Sequence, residues 1–393
     1  MSAPAGVLVV GASAAGIATA DALRRKGYRD SLTLLGAETH LPYDRPPLSK
    51  QVLSGIWEAE RVRLRSPEKL AELDADIILG DPAVGLDPAT RTVRTASGRA
   101  LTAGTIVVAT GLRPRTLPGQ DGLTGVHVLR TVDDSLALRS ALLSATQVVV
   151  VGDGVLGTEI AATARGMGAD VTLVGPQPVP MASQFGTLVG GLLGELHAER
   201  GVRLRLGTAV EGLTGRDGRV TGVRLDTGDE LPADVVVVAL GAAPATEWLA
   251  ESGLQLDNGL VCDSRCRAAE GIYGAGDVAR WRHDPLGVSL RLENRTNATM
   301  QANAVAANIL GEDQPYSPVP HFWTDQYDTK IQVHGLPTAA AEATIVDGDP
   351  ADGRFVAMYR RGGAAVGVLG WNMPKQTRLR RGEVVEALSA PAT

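Results

Sequence analysis

The chain has 393 residues, a length that predicts two or three domains rather than one hydrophobic core. Its 44% apolar and 21% charged residues are typical of a soluble globular protein and exclude a disordered chain. A net charge of −6 argues against nucleic acid as a partner, and no segment is long and apolar enough to predict a membrane span.

The N-terminal segment has the pattern of a dinucleotide-binding βαβ unit. Its predicted elements are a strand at residues 6–10, a glycine turn at 11–16, a helix at 17–26 that ends at Gly27, and a strand at 31–35. Gly11 and Gly16 take the outer positions of the glycine fingerprint, with Ser13 in the middle. This pattern explains the uncharged residues 2–20 better than a signal peptide does, because no basic segment precedes them.

Glu38 follows the second predicted strand. It lies 22 residues after Gly16, near the spacing of a carboxylate that binds ribose hydroxyls. The alternative is a surface glutamate in a loop. Its position favours the ribose role, with the pyrophosphate against the N-terminus of the preceding helix.

A second unit repeats the pattern 141 residues later. Its predicted elements are a strand at 147–151, a turn at 152–157, a helix at 158–167 and a strand at 170–174. Gly152, Gly154 and Gly157 fill all three glycine positions. Residues 175–178, after its second strand, include neither an acid nor an arginine, so the choice between NADH and NADPH stays open.

The two units and the rest of the chain predict an α/β protein with two Rossmann-like dinucleotide-binding domains plus a C-terminal α+β domain. Each unit has a later closing strand, at residues 105–111 and 234–241. Strand character at 261–277, a helix at 292–310 and a Pro-rich joint at 315–320 follow. We expect a discontinuous FAD-binding domain at 1–115 and 244–318, an NAD(P)H-binding domain at 116–243 and a C-terminal interface domain at 319–393.

Residues 41–50, with the sequence Leu-Pro-Tyr-Asp-Arg-Pro-Pro-Leu-Ser-Lys, form the most specific motif. The motif resembles the signature of the FAD-dependent ferredoxin reductases that serve oxygenases, the putidaredoxin-reductase-like family. Segments 109–114, 129–134, 271–278 and 322–326 agree with it. The resemblance extends from about Val7 past His334 and has motifs in all three expected domains.

The resemblance implies two sets of binding residues. For FAD they are Gly11, Ser13, Ala14, Ala15, Gly16, Glu38, Arg45, Lys50, Val84, Ala109, Thr110, Gly111, Arg130, Asp277, Arg295 and Trp323. For NADH, or NADPH, they are Gly152, Gly154, Val155, Leu156, Gly157, Glu159 and Gly241.

Several individual roles are also implied by the resemblance. The backbone of Val84 would meet the adenine, and Asp277 would bind the ribityl chain. Arg295 stands where many relatives carry an apolar or aromatic residue. Lys50, near the flavin N5 edge, and Glu159, near the nicotinamide, are the expected catalytic pair, although a buried ion pair of this kind could equally be structural.

The positions of cysteine and histidine exclude other chemistries. Disulfide reductases and NADH peroxidases of this plan carry a cysteine after the first helix, whereas residues 36–60 contain none. Cys262 and Cys266 are four residues apart, which is the wrong spacing for a reactive dithiol. The six scattered histidines predict no metal site. The lack of a disulfide framework fits a cytoplasmic protein.

The resemblance thus implies an NAD(P)H:ferredoxin reductase. Hydride from the nicotinamide would reach the flavin, which would pass electrons singly to an acidic [2Fe–2S] ferredoxin that serves a cytochrome P450 or a dioxygenase. Basic residues of the last segment offer a docking face, against the alternative of an ordinary solvated surface: Arg354, Arg360, Arg361, Lys375, Arg378, Arg380 and Arg381. We expect a transient complex and a monomer or homodimer.

Two alternatives remain. The same flavoenzyme could reduce rubredoxin or a small molecule such as a quinone or the ascorbyl radical. From another class, it could be an NADH-sensing binding module resembling apoptosis-inducing factor, in which NADH drives association and turnover is secondary.

Overall fold

The structure is a computed structural model that describes residues 6–389. Up to the end of the first unit the elements are β1 (Val7–Val10), α1 (Ala14–Arg25), β2 (Leu32–Leu35), α2 (Pro67–Ala71), β3 (Asp76–Ile78), β4 (Ala83–Asp87), β5 (Thr92–Thr95), β6 (Ala100–Thr102), β7 (Thr105–Val108) and β8 (Leu112–Pro114).

The middle of the chain forms the second unit. Its elements are β9 (Val126–His127), α3 (Val132–Leu142), β10 (Gln147–Val151), α4 (Val155–Gly166), β11 (Asp170–Gly175), α5 (Ala182–Glu199), β12 (Arg203–Leu206), β13 (Val210–Arg216), β14 (Arg219–Leu225), β15 (Glu230–Pro232), β16 (Val235–Val238) and β17 (Ala242–Pro244).

The last part of the chain completes the first sheet and builds a third. Its elements are β18 (Leu260–Cys262), β19 (Arg267–Ala269), β20 (Ile272–Gly274), β21 (Ala279–His283), β22 (Val288–Leu290), α6 (Arg295–Ile309), β23 (His321–Gln326), β24 (Thr329–Gly335), β25 (Glu342–Asp349), β26 (Arg354–Arg361), β27 (Ala364–Trp371) and α7 (Pro374–Ser389).

The first sheet has the strand order β19-β20-β7-β1-β2-β3, and its five strands from β20 to β3 run parallel. Every residue of β1 and β7 is buried, because a parallel sheet is covered on both faces. Helices α1 and α6 pack against each other beside it. Strand β20 follows the second unit in the sequence but pairs with β7. The first sheet is therefore completed by a segment that is distant in the chain.

The second sheet has the order β12-β11-β10-β16-β9 and is parallel throughout. Its strands β11, β10 and β16 repeat the arrangement of β2, β1 and β7 in the first sheet. The predicted fold class, with two Rossmann-like units, is therefore confirmed.

The third sheet is antiparallel, with the order β23-β24-β27-β26-β25 and α7 packed on it. Its apolar core includes Phe355, Tyr359 and Trp371, and this core continues into Phe185 and Val189 of α5. The final segment is thus an α+β unit, as predicted, and it packs against the second unit.

The predicted bounds of several elements are wrong by up to three residues. Helix α1 begins at Ala14 rather than residue 17, and α4 at Val155 rather than residue 158, because the last residues of each glycine turn already form the first helical turn. Helix α6 begins at Arg295 rather than residue 292, after an extended N-cap at Asn294. The closing strands β7 and β16 end earlier than predicted, at Val108 and Val238.

Candidate functional site

A cavity of about 700 Å³ lies where the carboxyl ends of the first two parallel sheets meet the third sheet. This is where open α/β sheets place ligands. Its walls include many of the predicted residues: Ser13, Ala14, Ala15, Arg45, Lys50, Ala109, Thr110, Gly111, Arg130, Gly154, Val155, Leu156, Glu159, Gly241, Asp277, Arg295 and Trp323. Six others do not line it, namely Gly11, Gly16, Glu38, Val84, Gly152 and Gly157.

The outer glycines of both turns pack against backbone instead of facing the cavity. A Cβ on Gly11 would lie 2.1 Å from the carbonyl oxygen of Ala109, and a Cβ on Gly16 would lie 1.8 Å from that of Gly11. The second unit repeats this closely, since a Cβ added to Gly152 or to Gly157 would lie 2.2 or 1.8 Å from a backbone oxygen. These glycines therefore allow each turn to press against its closing strand and its own helix.

The first turn fits the pyrophosphate of FAD. Helix α1 points its N-terminus at the cavity, and the N-cap Ser13 makes no side-chain hydrogen bond to the first helical turn. The methyl side chains of Ala14 and Ala15 leave the backbone accessible. Gly276 approaches closely, so that a Cβ there would lie 2.9 Å from the Ala15 Cβ. Free N–H groups at a helix N-terminus and little side-chain bulk are what an anion needs there.

The middle of the second turn leaves its backbone accessible from the cavity. A Cβ added to Gly154 would meet no atom within 4 Å, and Gly154 is the extended N-cap of α4. Val155 and Leu156 continue the cavity wall from this point. The second turn therefore offers a second helix N-terminus, suited to the pyrophosphate of a pyridine nucleotide.

Glu38 is held away from the cavity wall by two neighbours from the 41–50 motif. Its carboxylate accepts hydrogen bonds from the Tyr43 hydroxyl and from the Arg45 guanidinium, the latter at 2.6 Å. Burial raises the pKa of Tyr43 to about 12, so its hydroxyl stays protonated and donates. Arg45 also donates to the carbonyl oxygen of Arg130 at 2.8 Å. The ribose role of Glu38 stays a prediction.

Val84 lies in the small sheet β4-β5-β6 and its side chain is 53% exposed. It is not among the residues that line the cavity. The predicted contact uses its backbone only, and this contact also stays a prediction.

Charged side chains surround the middle of the cavity in pairs. The Arg130 Nη2 lies 3.7 Å from Asp277 Oδ2, and Arg295 forms an ion pair with Asp44. Burial raises the pKa of Asp277, and Arg130 opposes that shift. Burial also lowers the pKa of Arg130, with the like charge of Arg45 adding to it. Sequence reasoning missed Asp44, although Asp44 lies inside the 41–50 motif, directly after Tyr43.

Lys50 and Glu159 meet on the cavity wall between the two units. The Lys50 Nζ is 2.6 Å from Glu159 Oε2 and also donates to the carbonyl oxygen of Pro46 at 3.1 Å. Glu159, on the second turn of α4, is only 5% exposed, and it accepts a hydrogen bond of 2.6 Å from each of Ser49 and Thr324. Two distant segments of the chain thus converge on the carboxylate of a third.

Ser49 and Thr324 are the partners of Glu159 that sequence reasoning missed. Both lie within motifs that the sequence singled out, residues 41–50 and 322–326, from which only neighbouring residues were chosen. A buried carboxylate needs hydrogen-bond donors. The serine and the threonine within these two motifs were therefore the signal in the sequence from which these partners could have been identified.

The two cysteines lie in the core and outside the cavity wall. Burial raises the pKa of the Cys266 thiol to about 12 and that of Cys262 well above its ordinary value. Both thiols are therefore protonated and unreactive at neutral pH. Among residues 6–389, no group of histidine, cysteine or acidic side chains is arranged to hold a metal ion, and no helix is long and apolar enough to cross a membrane.

Comparison with known proteins agrees with this geometry. Residues 5–302 match the pyridine nucleotide-disulphide oxidoreductase family, and residues 321–392 match the reductase C-terminal family. The chain is 36% identical to rhodocoxin reductase of Rhodococcus erythropolis, over 94% of the chain and 87% of that protein. It is 39% identical to a ferredoxin–NAD(P)(+) reductase of Sphingomonas sp, over 92% and 88%.

Among solved structures, the covalent putidaredoxin reductase–putidaredoxin complex contains a chain with a TM-score of 0.92 and 31% identity, covering 98% of this chain and 94% of that one. The match extends over both nucleotide units and the third sheet. The chain therefore belongs to the pyridine nucleotide-disulphide oxidoreductase family, on its putidaredoxin-reductase-like branch, and is an oxidoreductase that uses FAD and NAD(P)H.

Proposed function

We propose that the protein passes electrons from NADH or NADPH, through FAD, to a [2Fe–2S] ferredoxin that serves a cytochrome P450 or a dioxygenase. The observation that carries this proposal is a single cavity shared by both nucleotide turns, with no cysteine among its lining residues. Electrons must then leave the cofactor without a protein thiol. FAD, when bound, supplies the conversion of a two-electron hydride into single electrons.

In this proposal the first turn and Asp277 bind FAD, and the second turn binds the nicotinamide nucleotide. Lys50 presents its ammonium group to the cavity, held in place by Glu159 and by the Pro46 carbonyl. A fixed positive charge at this wall favours negative charge on the bound cofactor. Arg130 provides a second fixed cation beside Asp277.

The docking face is proposed to be smaller than the full set of basic residues in the last segment. Arg360 pairs with Glu383, and Arg380 pairs with Asp347, so their charges are already balanced. Arg378 and Arg381 instead lie near the histidines of β23 and β24. We call Arg378 and Arg381 the α7 basic face.

The α7 basic face adjoins the rim of the cavity. Burial lowers the pKa of His321 and brings that of His334 to about 4, and Arg381 contributes to both shifts. The ring of His321 stacks on Trp323, with centroids 6.1 Å apart, and Trp323 lines the cavity. An acidic ferredoxin bound at this face would sit next to Trp323, at the exit of the cavity.

The test is reversal of both charges, Arg378→Glu with Arg381→Glu. We expect the KM for ferredoxin at low salt to rise about tenfold or more, while NADH-dependent reduction of ferricyanide stays at the parental rate. The matched control reverses Arg216 and Arg219, two exposed arginines on the β13–β14 hairpin that do not line the cavity. An equal effect in both variants would show that docking uses another surface. If ferredoxins do not accelerate NADH oxidation by the parental protein, the proposed function is wrong.

We also propose three finer points. The FAD-binding domain comprises residues 1–115 and 244–318, the NAD(P)H-binding domain 116–243 and the C-terminal interface domain 319–393. Residues 1–5 and 390–393 lie outside the described residues. The ferredoxin complex is transient, formed by a monomer or homodimer. The protein acts in the cytoplasm, as two free buried thiols suit a reducing compartment.

A further inference from the structure

The end of β11 lacks the carboxylate that usually binds the ribose of a pyridine nucleotide, and the structure shows what fills its place. Strand β11 ends at Gly175, whose φ is not positive, so its backbone does not require glycine. A Cβ on Gly175 would lie 2.2 Å from the Asp153 Cγ and 2.3 Å from its Oδ2. The carboxylate of Asp153 therefore occupies the space that a side chain at the end of β11 would take.

The register of the two sheets identifies the equivalent residues in the FAD unit. Gly11 donates to the Leu35 carbonyl and Gly152 to that of Val174, both at 2.7 Å. Counting from these pairs, Ala12 corresponds to Asp153, Gly36 to Gly175 and Glu38 to Gln177. The same close approach recurs there, because a Cβ on Gly36 would lie 2.9 Å from the Ala12 Cβ. The second unit thus has an acid, Asp153, in the place of Ala12, and a glutamine, Gln177, in the place of Glu38.

Gln177 holds the Asp153 carboxylate in position. The Gln177 backbone N–H donates to Asp153 Oδ2 and its side-chain amide to Oδ1, both at 2.8 Å. The amide oxygen of Gln177 is fixed in turn by the N–H of Ser183 at 2.7 Å. Each carboxylate oxygen keeps a further lone pair, because an ionised carboxylate offers about four acceptor sites in all.

We propose that Asp153, oriented by Gln177, supplies the ribose-binding carboxylate of the second turn and thereby selects NADH over NADPH. Asp153 is the second residue of the turn whose middle glycine, Gly154, faces the cavity. Its carboxylate accepts hydrogen bonds from the hydroxyls of the adenosine ribose, whereas a 2′-phosphate there would meet a like charge. The inference rests on the proposal that the second turn binds the pyridine nucleotide.

The experiment measures binding of ADP-ribose and 2′-phospho-ADP-ribose to the FAD-loaded protein by calorimetry, so that no turnover is needed. We expect the parental protein to prefer ADP-ribose by about tenfold or more, a difference of roughly 1.4 kcal/mol or more. Asp153→Asn keeps an acceptor for Gln177 and removes the charge. This variant should reduce the preference about tenfold, mainly by tighter binding of the phosphorylated fragment. NADH and NADPH specificity constants for flavin reduction should shift in the same direction.

A second variant tests the placement of the charge. Asp153→Gly combined with Gly175→Glu moves the carboxylate to the end of β11, where the space is then free, and should restore the preference for ADP-ribose. Asp170→Asn, at the other end of β11, is the matched control and should leave the preference unchanged.

Three results would overturn the inference. These are a parental preference for 2′-phospho-ADP-ribose, no binding of either fragment, or an Asp153→Asn variant that weakens both fragments equally. The last result would mean that Asp153 only anchors the loop after β11. These measurements use no ferredoxin, so a failure of ferredoxin reduction would contradict the proposed function and leave the inference standing.

Discussion

Glu159 shows how much of the site depends on a single buried charge. Removing a carboxylate from water is costly, and the cost is offset only when the charge is paired and its lone pairs are filled. Here one ammonium group and two hydroxyls surround it. The same arrangement fixes Lys50, whose ammonium would otherwise be free to move, at the wall between the two nucleotide sites.

We expect Lys50→Ala and Glu159→Ala to slow flavin reduction by about tenfold or more. The first removes the fixed positive charge that favours negative charge on the cofactor, and the second removes the carboxylate that holds this charge in place. The affinity for FAD should change by less than about threefold, since neither residue contacts the first turn. Stopped-flow reduction by NADH and FAD titration of the apoprotein measure the two effects. Ser54→Ala, in the same segment as Lys50, is the control. Parental reduction rates in both variants would contradict a catalytic role and leave a structural pair.

The pair also makes a stability prediction. Loss of one partner from a buried ion pair costs about 3–5 kcal/mol, because the remaining charge is uncompensated. Lys50→Met should therefore lower the urea midpoint more than the double variant Lys50→Met with Glu159→Gln. If the double variant is the less stable of the two, the uncompensated charge of Glu159 is not what destabilises the single variant.

At the scale of elements, different glycines of a glycine turn serve different purposes: some allow close packing, and others leave space for a ligand. Gly157 is needed because its Cα lies against the Gly152 carbonyl, whereas Gly154 has space beside it. Both stand in a single turn of six residues. The fingerprint therefore combines a structural requirement with a binding requirement, and substitutions can separate them.

We expect Gly157→Ala to destabilise the protein by more than the 1–3 kcal/mol typical of overpacking, because the new Cβ would meet backbone rather than a movable side chain. Gly154→Ala should leave the melting temperature within about 2 °C of the parental value. It should nevertheless weaken NADH binding about tenfold, since the methyl group would stand where the pyrophosphate approaches. Thermal unfolding and NADH titration test the two. Equal melting temperatures for both variants would contradict this division.

The strands and turns of both units could be predicted because they depend on local pattern: an apolar run followed by glycines at fixed spacing. The helix starts could not, since Ala14 and Ala15 carry no capping signal in their side chains. The partners of Glu159 were also beyond local pattern, because Ser49 and Thr324 lie 110 and 165 residues from it. Asp153 was overlooked for the same reason, because its proposed role depends on the space that Gly175 leaves in the neighbouring strand.

At the scale of the whole molecule, the third sheet is fixed to the second unit at a break in α5. Gly186 has a non-helical backbone within that helix, with φ 70° and ψ 179°. The hydroxyl of Tyr359 donates to the Phe185 carbonyl oxygen at 2.8 Å, and both residues are fully buried. The rings of Phe185 and Phe322 stack beside it. The interface that brings Thr324 to Glu159 is thus held partly by one hydroxyl.

Tyr359→Phe would leave that buried carbonyl without its side-chain donor. We expect a loss of about 1–3 kcal/mol in the free energy of unfolding, since an unsatisfied buried polar group costs this much. Urea unfolding followed by tryptophan fluorescence measures the loss. The absorbance spectrum of bound FAD is the control and should not change, because Tyr359 is remote from the first turn. An unchanged urea midpoint would mean that the break in α5 needs no support from the third sheet.

The late arrival of β20 has a consequence for synthesis on the ribosome. Domains usually fold as their chain emerges, N-terminal part first. Here the middle of the chain can complete its own sheet, while β1 and β7 must wait for β20 and α1 for α6. We therefore expect stalled nascent chains ending near residue 250 to retain no FAD, and those in which α6 has emerged to retain it. FAD fluorescence of purified stalled ribosomes would reveal the order, and early retention would show that the half-built sheet already captures its cofactor.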